Sequence, residues 1–318
     1  MARVPLIYVV GMGRSGSTLL DILLGRLDGV VGVGEFINFT DWVRADDKCA
    51  CHEPLTLCPV WGEVIKDVPA VHEGSVSFGK GRGPMVSSAL RALFTRRPSA
   101  ASTDIASLNH DVLAAACAKS GTTVVVDSSK DIARLCELEM SGLFDVYIIH
   151  LVRDARGVMW SKMKSLRRLA EDTPEMLAAI ARHPNRADSS SPAWIMRRWV
   201  VRNLLIMALG VTRWRKRYRV LLYEDLAAAP DEAIRGIAEW VEGVAVTDGE
   251  TPPSAPHNIG GNRMRLRPVK SIRVDDEWRT KLGLRARLAF FVNGGPLIAS
   301  LASTLAARAP SRPDRTEP

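Results

Sequence analysis

The stretch YVVGMGRSGSTLL near the N-terminus contains residue types that bind phosphate groups. Gly11 and Gly16 have the spacing of the Walker pattern for nucleotide triphosphates, and Thr18 occupies its hydroxyl position. Ser17 stands where that pattern has lysine, and the cation Arg14 lies three residues earlier. The loop therefore keeps the glycines of a phosphate site but moves its positive charge.

A glycine-rich turn between a strand and a helix points several backbone N–H groups at one place, where the helix dipole adds positive charge. The Walker lysine reaches the β and γ phosphates, so a loop without it is poorly equipped for a triphosphate. A shorter anion suits it better, because Arg14 can pair with the anion while Ser17 and Thr18 donate hydroxyl hydrogen bonds. The alternative is a plain Gly/Ser-rich turn without a ligand.

Short β-branched runs alternate with helical patterns along the chain, which favours a parallel sheet covered on both faces. Strands are predicted at residues 6–11, 29–35, 122–127, 145–152 and 218–225, and crossover helices at Ser17–Leu27, Asp131–Met140 and Asp231–Val241. We therefore predict an α/β fold, a P-loop-like three-layer sandwich with a central parallel sheet and helical insertions. Ligands of such folds bind beyond the carboxyl ends of the strands.

Charge and cysteine content narrow the ligand and the compartment. The net charge of +8 over 318 residues favours anionic ligands or partners. Aromatic residues make up only 6% of the chain and its cations are dispersed, so we expect an anionic small molecule and no nucleic acid. Five cysteines, an odd number, fit a reducing cytoplasm better than a disulfide scaffold, and we expect a cytoplasmic protein.

The segment GRSGSTLL, after its hydrophobic strand, resembles the 5′-phosphosulfate loop of sulfotransferases that use 3′-phosphoadenosine 5′-phosphosulfate (PAPS). In that family an Arg or Lys stands two residues before the glycine of the turn, as Arg14 stands before Gly16. The resemblance implies that the donor is bound by Gly13, Arg14, Ser15, Gly16, Ser17 and Thr18.

PAPS carries a 3′-phosphate that ATP lacks, so a second anion site separates the two ligands. The segment HLVRDARGVMWSKMK supplies Arg153 at a strand end and Ser161 eight residues later, which is the separation in the family's 3′-phosphate motif. A guanidinium at the sheet edge and a hydroxyl from the following helix would close on one phosphate. The alternative is a surface pair between Arg153 and Asp154.

Two later segments extend the resemblance. LLYEDLAAAP resembles the family's Tyr-Glu-Asp-Leu segment, whose tyrosine contacts the adenosine of the donor, and this role falls to Tyr223. HNIGGNRMR resembles the Gly-Asn-x-x-Arg loop of bacterial members, which covers the 3′-phosphate. Gly260, Gly261 and Arg265 are the matching residues, and Arg263 stands where many bacterial members have proline. The alternative is a glycine turn with solvated arginines.

Sulfonyl transfer needs a base for the acceptor's proton and positive charge at the leaving phosphate. The loop, Gly-Glu and Lys positions are closest to tyrosylprotein sulfotransferases, where a Gly-Glu pair at the same interval of 21 residues provides the base. The resemblance implies Glu35 as the base and Arg14 and Lys130 beside the bridging oxygen, with Ser128 and Ser129 donating to the sulfonate. The plainer alternatives are a solvated Glu35 and a Lys130 in an exposed first helical turn.

These motifs imply in-line transfer of a sulfonate from PAPS to a hydroxyl or amine, with release of adenosine 3′,5′-bisphosphate and no metal or redox cofactor. The acceptor, whether small molecule, glycan, lipid or peptide, is not predicted, and neither is the oligomeric state. The alternative is a P-loop kinase that uses ATP and Mg²⁺, because the strand ending in Asp127 looks like a Walker B strand with its carboxylate beside Thr18. A non-catalytic nucleotide-binding module is a third class.

Residues 1–308 are expected to form a single domain, with insertions at 40–115 and 162–192 that shape the acceptor pocket. The uncharged segment 288–307 is long enough to span a bilayer, but NGGP in its middle is typical of a turn. We expect a packed helical pair there, with membrane contact as the alternative. The tail 309–318 is expected to be disordered.

The segment CACHEPLTLCPVW brings Cys49, Cys51, His52 and Cys58 close together, as a zinc site would. Its Cys-x-Cys start departs from the usual spacing, and comparable stretches in bacterial sulfotransferases are most simply structural. We predict buried packing thiols, with a metal site at the three cysteines or a redox pair as the alternatives. His257 is assigned no catalytic role.

Overall fold

The fold is built on one parallel sheet. The computed structural model describes residues 2–68, 71, 76, 78, 85–95, 100–172, 191–244, 256–261, 263–267, 269 and 271–308. The strands are β1 Val4–Gly11, β2 Val30–Gly34, β3 Val124–Lys130, β4 Phe144–Val152 and β5 Tyr218–Leu222. They form one sheet in the order β2-β3-β1-β4-β5, and each neighbouring pair is parallel.

All five predicted strands are present, and the predicted α/β class with a central parallel sheet is confirmed. The largest boundary differences from the prediction are at the carboxyl ends of β3 and β5. β3 continues past Asp127 to Lys130, where the backbone turns into a left-handed conformation with φ 66°. β5 ends at Leu222 because a helix starts at Tyr223. Both differences bring a polar side chain to the carboxyl edge of the sheet.

Helices cover both faces of the sheet. In chain order they are α1 Ser17–Leu24, α2 Phe39–Arg44, α3 Trp61–Asp67, α4 Met85–Phe94, α5 Ala100–Ser120, α6 Ile132–Ser141, α7 Ala155–Asp172, α8 Pro192–Thr212, α9 Tyr223–Ala228, α10 Pro230–Trp240, α11 Trp278–Lys281, α12 Leu284–Val292 and α13 Gly295–Ala306. Short 3₁₀ helices span Phe36–Asn38 and Arg263–Leu266.

Alternate residues of β1 enter two separate cores, as the two-residue period of a strand requires. Tyr8 packs into the larger core, which includes residues of α5, α6 and α8. Ile7 and Val9 pack into the other core with residues of α1, α9 and α10. The sheet is therefore buried on both faces, which explains its continuous apolar runs and gives the three layers.

The connections place a ligand crevice between β1 and β3. The chain leaves β1 toward the β2 edge, whereas it leaves β3 toward β4 on the opposite side of β1. Loops that diverge from two adjacent strands open a crevice beyond the carboxyl ends of those strands. The glycine loop follows β1 at this point, and Lys130 ends β3.

The apolar segment near the C-terminus forms the expected helical pair, α12 and α13, joined at Gly294 with φ 78°. Phe290 and Ile298 are buried in the larger core. In the described part of the chain no single helix is long and apolar enough to cross a membrane, whereas α12 and α13 meet that test only together, with a bend of 66°. The predicted tail 309–318, residues 173–190 and parts of 69–99 lie outside the described residues.

A buried ion pair joins the sheet to the helical layer. Asp127 of β3 and Arg134 of α6 are fully buried, and the Nη2 atom of Arg134 lies 2.7 Å from Oδ2 of Asp127. Arg134 also donates to the carbonyl of Phe78 and to Oδ1 of Asn109, so its charge is well hydrogen-bonded. The other carboxylate oxygen of Asp127 accepts from Ser129. Both charged side chains therefore have their hydrogen-bond partners inside the protein.

Replacing Arg134 with Met should lower the free energy of unfolding by about 3–5 kcal/mol, because Asp127 would keep a buried charge without a partner. Urea denaturation followed by circular dichroism measures this loss. The double variant with Asp127→Asn should lose less than the single variant. Lys66→Ala, which breaks an exposed pair with Glu63 at 2.8 Å, should change stability little. Equal losses of stability in Arg134→Met and in Lys66→Ala would contradict this interpretation of the buried pair.

Candidate functional site

A cavity of about 720 Å³ lies beyond the carboxyl ends of β1, β3 and β4. The residues predicted from sequence that line it are Gly13, Arg14, Gly16, Ser17, Thr18, Glu35, Lys130, Arg153, Ser161, Tyr223 and Gly261. Motifs that are more than 200 residues apart in the chain therefore meet at one place. Its volume is in the range of small-molecule sites.

The glycine loop reaches the cavity through backbone that only glycine accepts easily. A Cβ atom on Gly11 would lie 2.4 Å from the carbonyl oxygen of Leu151, so β1 and β4 can approach closely only with glycine there. Gly16 has φ 92°, and a Cβ atom on it would lie 2.6 Å from the ring of Tyr223. Gly16 also precedes α1 without a side-chain cap, so the first-turn N–H groups of this helix face the loop.

Arg14 and Lys130, the two cations assigned to the leaving group, both have left-handed backbone, with φ 75° and 66°. This conformation is uncommon outside glycine and is typical of functional sites. Nζ of Lys130 lies 2.8 Å from Oε1 of Glu35 and also donates to the carbonyl of Ser128. Glu35 is thus paired rather than solvated, and Lys130 is 13% exposed at a strand end rather than in a helix.

Arg153 follows β4 and is held from three sides. It donates to the carbonyl oxygen of Arg14 at 3.1 Å, and its Nη2 atom lies 2.9 Å from the carboxylate of Asp275. Its guanidinium carbon lies 4.4 Å from the centre of the Tyr223 ring. The alternative pair with Asp154 is wrong, because Arg156 pairs with that carboxylate at 2.6 Å.

Tyr223 and Ser161 complete the wall around Arg153. Tyr223 opens α9 and is buried, with its ring against Gly16 on one side and Arg153 on another. Ser161 lies on α7, the helix that follows Arg153, and lines the same cavity. The two motifs that follow β4 and β5 therefore share a wall with the glycine loop.

The HNIGGNRMR segment, called the late glycine segment from here on, lines the cavity with only some of its described residues. Gly261, with φ 74°, lies against Glu35 and Thr18, since a Cβ atom on it would be 3.4 Å from an oxygen of each. Gly260 has φ 66° and packs against the indole of Trp42. Arg265 does not belong to the described cavity wall. It is buried in an ion pair with Asp47 at 2.7 Å.

Three serines predicted at the site point elsewhere. The hydroxyl of Ser128 donates to Asp21 at 3.3 Å, and that of Ser129 donates to Asp127. Ser15 is buried, and its hydroxyl has no hydrogen-bond partner in the described part of the chain. The structure does not bring these hydroxyls to the described cavity wall.

Comparison with known proteins identifies the family. The sequence profile described as "Sulfotransferase family" matches residues 5–248, which is most of the chain. The chain belongs to the sulfotransferase family. No curated protein sequence matches it.

Two solved structures are similar to this sulfotransferase. The sulfotransferase domain of the olefin synthase from Synechococcus PCC 7002 is 21% identical, with 97% of each chain covered and a TM-score of 0.52. The sulfotransferase domain of the curacin biosynthetic pathway is 15% identical, with 92% of this chain and 98% of that domain covered and a TM-score of 0.48. At 21% identity, the olefin synthase domain shows that the fold is shared.

The sulfotransferase also places charged residues in the cavity that the motifs did not predict. These are Lys162 on α7, Arg198 and Arg202 on α8, and Asp275. Arg198 and Arg202 are one helical turn apart, so their spacing is a signal that sequence analysis could have used. Asp275 lies between predicted elements and carries no such signal. Six described lining residues are thus Lys or Arg, against two carboxylates.

Burial in this cavity shifts the pKa of three of its cations. Burial lowers the pKa of Arg14, Lys162 and Arg202, and the neighbouring cations Arg198 and Arg14 add to the effect at Lys162. Arg14 also donates to Ser165, and Arg202 donates to the carbonyl of Lys130. The site therefore holds like charges together before any anion binds, which favours anion binding.

Asp21 on α1 is a buried carboxyl group that connects α1 to the late glycine segment and to β3. It is buried, and its Oδ2 atom accepts from Asn258 at 2.9 Å and from Ser128. Burial raises the pKa of Asp21 to about 7, and the nearby charge of Asp127 adds to this, while Asn258, Lys130 and Ser128 act in the opposite direction. The folded protein thus keeps a proton on Asp21 that an unfolded chain loses near pH 4.

From this raised pKa we expect stability to fall as pH rises from about 4 to about 7, because the unfolded chain binds fewer protons in that window. Asp21→Asn should remove this component. The difference between wild type and variant in the free energy of unfolding should change by up to about 4 kcal/mol across the window. Urea titrations at several pH values measure it, and parallel pH profiles for the two proteins would contradict it.

Proposed function

We propose that this sulfotransferase uses PAPS as its donor and transfers the sulfonate to a hydroxyl or amine of an acceptor, releasing adenosine 3′,5′-bisphosphate. The observation that carries the proposal is that two separate cationic anchors, Arg14 on the glycine loop and Arg153 after β4, line one cavity. A donor with an anionic group on each side of its ribose fits two such anchors, because each guanidinium can bind one group.

The glycine loop suits the 5′-phosphosulfate. The uncapped first turn of α1 offers N–H groups and the positive end of the helix dipole. Ser17 and Thr18 line the cavity beside it, and Arg14 supplies the charge that a lysine at the position of Ser17 would supply in a Walker loop.

Arg153 and Ser161 suit the 3′-phosphate. A doubly charged phosphate is a stronger partner for Arg153 than Asp275, whose side chain is 36% exposed and pairs with it in the present structure. Asp275 would release Arg153 when the phosphate binds. Tyr223 contacts both Gly16 and Arg153, so it lies between the two anchors, where the adenosine would contact it.

Glu35 is the proposed base, an assignment that follows the resemblance to tyrosylprotein sulfotransferases. Its carboxylate would take the proton of the acceptor hydroxyl while the acceptor oxygen forms a bond to sulfur. The bond between sulfur and the bridging oxygen breaks, and its electron pair stays on the phosphate. Arg14 and Lys130 would stabilise that charge. The 2.8 Å contact between Lys130 and Glu35 holds the two groups in one small volume.

The kinase alternative loses its main support in this geometry. Asp127, its proposed Mg²⁺ ligand, is fully buried and pairs with Arg134, so it does not face Thr18 across the cavity. The family match also favours sulfonate transfer. Screening hydroxyl and amine compounds with PAPS is the direct route to the acceptor.

The donor proposal predicts tight binding of adenosine 3′,5′-bisphosphate and weaker binding of ATP with Mg²⁺, measured by isothermal titration calorimetry. Arg153→Ala should weaken the bisphosphate by about 10-fold or more, since a charge-assisted contact is lost, and should remove the preference for a 3′-phosphate. The matched control is Arg217→Ala, an arginine that pairs with Asp145 at the opposite edge of the sheet. Tighter binding of ATP with Mg²⁺ than of the bisphosphate would overturn the donor assignment.

Glu35→Gln should leave the affinity for adenosine 3′,5′-bisphosphate nearly unchanged but lower turnover about 10²–10⁴-fold, because the general base is lost. Chromatography of the bisphosphate released from PAPS, with an acceptor found by screening, measures turnover. Glu63→Gln, at an exposed glutamate paired with Lys66, is the control and should stay active. A fully active Glu35→Gln protein would assign the base to another residue.

A further inference from the structure

Four side chains that can bind a metal converge outside the cavity. The Sγ atoms of Cys49, Cys51 and Cys58 and the Nδ1 atom of His257 all lie within 4.8 Å of one another. His257 comes from the late glycine segment, about 200 residues beyond the cysteines. His52, the histidine adjacent in sequence, is exposed and is not part of this group.

Three distances between the ligand atoms of this group match those of a tetrahedral zinc site. Ligands at about 2.3 Å for sulfur and about 2.0 Å for nitrogen give tetrahedral edges of about 3.8 Å between sulfurs and about 3.5 Å between sulfur and nitrogen. The Sγ atoms of Cys51 and Cys58 are 3.7 Å apart. Nδ1 of His257 lies 3.3 Å from Sγ of Cys58 and 3.7 Å from Sγ of Cys49.

The surroundings support a closed site with thiolate ligands. The backbone N–H of Trp61 donates to Sγ of Cys58 at 3.5 Å, a contact that stabilises a thiolate. The indole of Trp61 donates to the carbonyl of His257 at 2.6 Å. This bond holds His257 against the segment 49–58, which carries the three cysteines and is called the cysteine loop. Cys49 and Cys58 are buried, and Cys51 and His257 are half-buried.

The backbone of the cysteine loop brings its sulfurs together. Lys48 and Pro54 form an antiparallel bridge, and the backbone carbonyl oxygen of Cys49 accepts from the N–H of His52 at 2.9 Å. His52 has a left-handed backbone with φ 73°, so the chain reverses tightly at this residue. The reversal turns the His52 side chain outward and leaves the cysteine side chains grouped.

We propose that Cys49, Cys51, Cys58 and His257 bind a structural Zn²⁺ ion. The ion would displace the thiol protons and take four protein ligands, which leaves no open position for catalysis. This site goes beyond sulfonate transfer, because none of its ligands lines the described donor cavity.

A zinc ion at this site would fix the position of the late glycine segment beside the sheet. The carbonyl of Ile259 accepts from the N–H of Glu35 at 3.1 Å, and Ile259 forms a parallel bridge with Gly34 at the end of β2. The carbonyl of Asn258 accepts from Ala50 of the cysteine loop at 3.1 Å. A metal bound by His257 would therefore fix, two residues away, the backbone that positions Glu35. This consequence for Glu35 rests on the proposed function.

Metal analysis of the full chain, purified under reducing conditions without chelator, tests the site. Inductively coupled plasma mass spectrometry should find about one zinc ion per chain. Cys58→Ser should lose most of that zinc. Cys117→Ser, at a buried cysteine outside the group, and His52→Ala should retain it. Equal zinc content in Cys58→Ser and Cys117→Ser would overturn the proposal.

Cobalt substitution of the wild-type chain keeps the test independent of the folding of a variant. Co²⁺ should produce the charge-transfer bands of cobalt thiolates and the visible bands of tetrahedral coordination. His257→Ala should keep the thiolate bands but shift the visible ones, because one nitrogen ligand is lost. A wild-type chain that holds no zinc and gives no tetrahedral cobalt spectrum contradicts the site.

A disulfide between Cys51 and Cys58 is the competing outcome. Its sulfurs would have to approach to about 2.05 Å from their present 3.7 Å. Alkylation of the native protein followed by mass spectrometry would detect this bond, and its presence at full occupancy would overturn the zinc site. These readouts do not depend on sulfonate transfer, so failure of the zinc site and failure of the donor assignment are distinguishable.

Discussion

The structure depends on holding many like charges together at one edge of a buried sheet. Arginines and lysines from the glycine loop, β3, β4, α7 and α8 line one cavity, and Glu35 and Asp275 are the two carboxylates in its described wall. Mutual repulsion would spread such side chains apart if they stood on mobile loops. They are instead placed on the tight glycine loop, at strand ends and on long helices, and Arg14 and Lys130 hold left-handed backbone that packing must stabilise. Binding an anion would relieve this repulsion, so the cavity favours an anionic ligand.

The late glycine segment is the second element on which the site depends, because it is anchored at three successive residues. His257 contacts the cysteine loop, Asn258 donates to the buried Asp21, and Ile259 extends the pairing at the end of β2. Gly261 then reaches the cavity beside Glu35. The segment thus connects α1, β2 and the cysteine loop. Its anchors combine polar and backbone contacts with the side chain of Ile259, which is buried in the larger core.

Much of this could be predicted from the sequence, for physical reasons. A parallel sheet buried on both faces requires continuous β-branched runs, and the carboxyl ends of those runs mark the ligand edge. Residues directly after strands, such as Glu35 and Arg153, were therefore predictable. Arg265 was not, because a glycine turn leaves open which way a later side chain points, and Asp47 pairs with it instead. His257 could not be assigned either, since sequence proximity favoured His52 and only the tertiary fold brings His257 to the cysteines.

The orientation of Asp127 explains why the loop has moved its cation. In a triphosphate site the carboxylate at the end of this strand holds Mg²⁺, and the ion neutralises the phosphates. Here Arg134 neutralises Asp127 inside the protein, so that carboxylate no longer faces the ligand. An anion in the cavity then contacts side-chain cations. These cations need not include a lysine in the first turn of α1, where the Walker pattern has one. Arg14 before the turn and Lys130 across from it can approach the anion from two sides, which suits a bridging oxygen that gains charge as its bond to sulfur breaks.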